Sequence, residues 1–113
     1  MANNIGWFEV AGKDQPALRS FYGELFDWSF NDVEGMPYAL VDGANIGGGI
    51  GGTPDGSPGH VTFYVEVDDL EGALKQVESL GGSHAMGPME VPGGTRIAHF
   101  TDPEGHLIGL MGD

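Results

Sequence analysis

Two carboxylates stand out because of their neighbours. Glu9 is the one charge in the aromatic, apolar run Ile5 to Val10 (IGWFEV), and Glu66 is the one carboxylate in His60 to Val67 (HVTFYVEV). A carboxyl held among apolar groups loses hydration. Its pKa then rises, and it can act as a general base. Both runs are rich in β-branched and aromatic residues and read as strands, so alternate residues share a face. Trp7 and Glu9 fall opposite Phe8 and Val10. Thr62, Tyr64 and Glu66 fall opposite Val61, Phe63, Val65 and Val67. Trp7 and Tyr64 are able to stack on a planar ligand and still donate a hydrogen bond. A third run, Thr95 to Thr101, carries Arg96, Ala98 and Phe100 on one face. Pairing Thr101 with His106 across Asp102-Pro103-Glu104-Gly105 puts that face on the Gly109 side, with the carboxylates. Arg96 then pairs with Glu9 or Glu66, or holds an anionic ligand. The plainer alternative leaves both glutamates at a solvated rim, or in an ion pair between subunits.

Other chemistries lack their residues. There is no cysteine, which removes disulfides, thiolate nucleophiles and Cys-type zinc sites. The four histidines, His60, His84, His99 and His106, show no His-x-His or His-x-x-x-His spacing with a carboxylate, and alternation sends His99 and His106 to the opposite face. The glycine run Gly47 to Gly52 has neither the lysine nor the following helix of a phosphate cradle, so it reads as close backbone packing or a pocket lip. No nucleophile-elbow motif surrounds any serine.

These residues need elements to position them. Asp14 can cap a helix with Pro16 in its first turn, and Leu18, Phe21, Tyr22, Leu25 and Phe26 recur at helical spacing up to Asp27. Short strands follow at 28–33, 38–41 and 46–50, with a turn signal at Asp42-Gly43. Thr53 to Gly59 (TPDGSPG) reads as a linker. Then the pattern restarts. After the strand His60 to Val67, Asp68-Asp69 caps a helix that Gly81-Gly82 ends, and strands follow at 83–89, 95–101 and 106–111. The order β-α-β-β-β occurs twice. Trp7-Phe8-Glu9-Val10 before the first helix also resembles Tyr64-Val65-Glu66-Val67 before the second. Such a duplication is architectural evidence.

The chain has 113 residues, which fits one domain with its own core. Seventeen acidic residues against four basic give a formal net charge of −13. A duplex phosphate backbone or an anionic membrane surface would be repelled, so neither is an expected partner. The start, Met1-Ala2-Asn3-Asn4-Ile5, lacks the basic and apolar regions of a signal peptide, and a cytoplasmic location is expected.

Three motifs in this order resemble the vicinal oxygen chelate superfamily (glyoxalase, bleomycin resistance protein, dioxygenase type). They are Arg19-Ser20-Phe21-Tyr22-Gly23-Glu24-Leu25-Phe26-Asp27-Trp28, then Val65-Glu66-Val67-Asp68-Asp69-Leu70, then Phe100-Thr101-Asp102-Pro103-Glu104-Gly105-His106. The resemblance spans nearly the whole chain. It implies an α+β fold of two βαβββ modules, about 5–52 and 60–111, forming a cupped sheet, with helices outside and the faces named above lining the cup. It also implies a homodimer. The metal-dependent relatives carry four His or Glu ligands on the first and last strands of each module. Here those places fall near Ile5, at Thr62, at Gly109 and within Gly47 to Gly49. Alkyl groups and glycines do not bind a divalent cation.

The expected function is therefore metal-independent, cofactor-free binding of a small organic molecule. Glu9 and Glu66 are the candidate catalytic residues, and Trp7, Thr62, Tyr64, Arg96 and Phe100 are the ligand contacts. The acidic, aromatic cup suits a cationic or planar aromatic ligand. The alternative is a lyase, isomerase or dioxygenase that uses a cup glutamate as base or a displaced divalent metal site. Fold alone does not choose between them.

Overall fold

The computed structural model describes residues 3–112. Eight strands and two helices follow in the order β1 (Ile5–Gly12), α1 (Gln15–Phe26), β2 (Ser29–Asp32), β3 (Tyr38–Asp42), β4 (Gly48–Gly52), β5 (His60–Val67), α2 (Leu70–Ser79), β6 (Ser83–Glu90), β7 (Arg96–Thr101) and β8 (Leu107–Gly112). The architecture is α+β, as the repeated pattern predicts. No helix among the described residues is long and apolar enough to cross a membrane.

The chain divides into two compact units. One is Trp7–Val61, and the other joins the segment ending at Gly6 to residues from Thr62 onward. Each repeats one topology. In the first, the strand order is β2-β3-β4-β1, with β1 and β4 parallel; in the second it is β5-β8-β7-β6, with β5 and β8 parallel. A parallel partner needs a crossover, and in each unit the helix and two strands supply it.

The helices begin where capping chemistry places them. The Asp14 carboxylate accepts from Ala17 N at 3.0 Å, and the Asp69 carboxylate accepts from Gly72 N at 3.1 Å. Each satisfies a helix-start amide that lacks an intrahelical partner. α2 then buries Leu70 and Leu74 against Ala98 and Leu110, with Val65, Val67, Ala73 and Phe100 packed around them. In the other unit, Ala39 and Ile50 are fully buried, while α1 buries no residue completely. α1 is instead held by rings. Tyr22 and Phe26 pack on Trp28, and Trp28 packs on Phe8 of β1. Arg19 adds an ion pair to Asp32 at 2.7 Å and lies over the Phe30 ring.

One register differs from the sequence expectation. Asp102 N donates to His106 O at 3.0 Å, so these two residues close the β7–β8 turn, and Thr101 faces Leu107 rather than His106. The Asp102 carboxylate fixes the turn by accepting from the amides of Glu104 and His106. A one-residue slip sends every side chain of a strand to the other face. Ala98 is thus opposite Leu110 on the α2 side, and His99 is opposite Gly109 on the other.

Candidate functional site

That slip corrects two expected ligand contacts. Arg96 and Phe100 share the face of Ala98, against α2. The Arg96 guanidinium forms a two-pronged ion pair with Glu71 of α2 and holds the Glu71 carboxyl below its usual value. Phe100 packs on the α2 core. His99, expected on the opposite face, lies with Tyr64 instead.

Tyr64 is buried, and its hydroxyl pairs with His99 Nε2 at 2.7 Å. Its ring covers Gly109, where any side chain would overlap it. Thr62 is also buried, and its hydroxyl donates to the Leu107 carbonyl at 2.7 Å. Thr62 therefore ties β5 to the start of β8. Glu66 is exposed; its amide donates to Asn4 O, and its carbonyl accepts from Asn3.

The strongest polar constellation lies in the Trp7–Val61 unit. Alternation along β1 separates Trp7 and Glu9 from Phe8 and Val10. Trp7 Nε1 donates to Tyr38 Oη at 3.0 Å, and Tyr38 Oη donates to Glu9 Oε1 at 2.9 Å. Glu9 Oε2 then pairs with His60 Nε2 at 2.6 Å. Chemistry sets the direction of the chain. An indole N–H only donates and a carboxylate only accepts, so the phenol between them must accept from one and donate to the other. Burial pushes the Tyr38 phenol above its ordinary value of 10.0, and the neighbouring Glu9 charge pushes it further. Tyr38 therefore stays protonated and remains a donor to Glu9 at neutral pH.

Both ends of this chain have defined surroundings. The Tyr38 ring covers Gly49 of β4 as the Tyr64 ring covers Gly109 of β8. The Glu9 side chain is 13% exposed and the His60 side chain 26%. His60 also lines an open groove of about 770 Å³ with Lys13, Phe21, Tyr22, Pro58 and Val61. Sequence reading found Trp7 and Glu9 by alternation. It missed Tyr38, which opens a strand three elements away, and it gave His60 no partner. The available signal was that His60 shares strand parity with Thr62 and Tyr64.

The model for the Glyoxalase/Bleomycin resistance protein/Dioxygenase superfamily matches residues 4–110. The chain belongs to this superfamily. Over 113 residues it is 31% identical to CFP32 of Mycobacterium tuberculosis, covering 92% of the chain and 43% of that protein. It is also 31% identical to the anthracycline biosynthesis protein DnrV of Streptomyces peucetius, covering 88% of the chain and 43% of DnrV. The chain thus spans less than half the length of these relatives. The fold matches the Mn(II)-bound glyoxalase of Novosphingobium aromaticivorans with a TM-score of 0.68 at 21% identity, over 98% of this chain and 39% of that one.

A fold neighbour with bound manganese raises the question of a metal here. The places that the resemblance assigns to metal ligands hold Ile5, Thr62, Gly109 and the glycines 47–49. Thr62 spends its hydroxyl on a carbonyl, and aromatic rings cover Gly49 and Gly109. Among the described residues, no group of three or more His, Asp or Glu comes together as a metal site. The residues at those places do not fit a divalent cation.

Proposed function

We propose that this superfamily member binds a small organic molecule without a resident metal, and that the Trp7–Tyr38–Glu9–His60 chain is the polar centre of its site. The observation that carries the reading is the covering of Gly49 by Tyr38 and of Gly109 by Tyr64. Gly109 and the run Gly47 to Gly49 are places that the resemblance assigns to ligands in metal-dependent members, and a side chain at Gly49 or Gly109 would overlap these rings. An ordered polar chain beside an aromatic-walled groove is what a small-molecule site requires. The name of DnrV, a protein of anthracycline biosynthesis, is in keeping with a small organic ligand.

A nuclear magnetic resonance screen with planar aromatic cations and neutral aromatics tests this. The Trp7 indole N–H, the His60 ring and the groove resonances are expected to shift together for at least one compound class. Shifts confined to other residues would contradict the site assignment.

A second reading has one observation in its favour. Glu9 and His60 face each other at 2.6 Å and are the two ligand-type groups around which a displaced metal site would assemble. It needs a third and a fourth donor, and it predicts that added divalent metal stabilises the fold. We also propose a homodimer. Its support is the exposure of Phe21, Leu25 and Phe26 along α1, together with relatives more than twice this length. Size-exclusion chromatography with light scattering is expected to give twice the chain mass, and a monomer at all concentrations would contradict it.

A further inference from the structure

We propose that His60, held by Glu9, is the proton acceptor of the groove, and that Glu9 is its positioning residue rather than the base. The inference rests on the metal-independent reading above and assigns an activity to the same site. Its basis is how Glu9 is used. One carboxylate oxygen accepts from Tyr38, which burial keeps protonated and which is itself held by Trp7; the other oxygen holds His60 Nε2. A carboxylate fixed on both oxygens is poorly placed to reach a ligand. It is well placed to orient an imidazole and to stabilise the imidazolium that forms when the ring takes a proton. His60 is the more exposed of the pair, and it lines the groove beside Phe21, Tyr22 and Val61. The ligand class that this arrangement serves is a small planar molecule with a weakly acidic C–H or O–H. No electrons leave or enter the system. The proton moves to His60, the bond pair it leaves reorganises within the ligand, and the proton is returned to another ligand atom or to water.

The probe is 5-nitrobenzisoxazole, a planar C–H acid. A base removes its ring C–H proton, the C–H pair becomes the second π bond of a nitrile, and the N–O bond breaks to release a coloured phenolate. No co-reactant is needed. The wild-type protein, treated with chelator, is expected to release phenolate faster than free imidazole at the same concentration. His60→Gln should lower the rate by about a hundred-fold, the ordinary range for a positioned base. Glu9→Gln keeps the shape and the Tyr38 contact; it should lower kcat about ten-fold or more with KM nearly unchanged, as expected for loss of a transition-state interaction. His84→Gln, at a residue that does not line the groove, should react as wild type.

A fold check by circular dichroism accompanies each variant, and His60→Asn serves if His60→Gln does not fold. A chelator-resistant rate that survives the loss of His60 would overturn this inference and leave the metal-free reading intact. A rate that chelator abolishes and zinc restores would overturn both, because His60 would then be a metal ligand. A wild-type rate no faster than imidazole would also overturn the inference.

Discussion

Tyr38 stands between a group that only donates and a group that only accepts, and both depend on it. Tyr38→Phe removes the acceptor for Trp7 and a donor to Glu9, and leaves both part-buried without that partner. The expected cost is about 1–3 kcal/mol, read from denaturant unfolding. The same residue sets a pH dependence. Its folded-state pKa lies above the unfolded value, so the folded state holds the proton more tightly. That stability is full below the ordinary value of 10.0 and is lost as pH rises beyond it. The wild-type thermal midpoint should fall on this alkaline limb more steeply than that of Tyr38→Phe, and one tyrosine should ionise late in an ultraviolet titration. Superimposable alkaline limbs would contradict the assignment. Asp102 acts at the other end of the scale. Backbone donation from His106, followed by its other hydrogen bonds, lowers its carboxyl pKa, so its contribution is present above the usual carboxylate range and is lost as pH falls through the lowered value.

At the scale of elements, the repeated β-α-β-β-β order was legible because period and punctuation carry it. Helix stripes, caps at Asp14 and Asp69, and the TPDGSPG linker are local signals. The β7–β8 register was not legible. Asp102-Pro103-Glu104-Gly105 announces a turn, yet whether Thr101 or Asp102 faces His106 depends on backbone pairing that composition does not encode, and that single residue moved Arg96 and Phe100 away from the site. The site was half legible for the same reason. Trp7 and Glu9 follow from alternation within one strand, whereas Tyr38 and His60 reach Glu9 only through the pairing of β1, β3 and β4 and the start of β5. Two predictions belong here. Gly109→Val should overlap the Tyr64 ring and destabilise by about 1–3 kcal/mol or more, as overpacking does. Asp14→Ala should cost about 1 kcal/mol as a lost N-cap, with the spectrum of the folded state unchanged. A Gly109→Val variant as stable as wild type would contradict the aromatic cover.

The whole molecule carries a net charge of −13, with two of its four Lys and Arg residues, Arg19 and Arg96, already paired to Asp32 and Glu71. Self-repulsion of this size opposes compaction, and salt screens it over ~8 Å at physiological ionic strength. The thermal midpoint should therefore rise with sodium chloride. Membership of the superfamily fixes the fold and leaves the chemistry to the residues on it. Those residues place aromatic rings over Gly49 and Gly109, in stretches to which the resemblance assigns metal ligands. The most direct measurement of that claim is the metal content of protein purified without chelator, by inductively coupled plasma mass spectrometry, with thermal unfolding repeated after adding zinc, nickel, manganese or iron. A ligand that binds only the native state must stabilise it. The expected result is substoichiometric metal and an unshifted midpoint, in wild type and in Glu9→Gln alike. One metal per chain, lost in Glu9→Gln or His60→Gln, would contradict the account and make these two residues ligands.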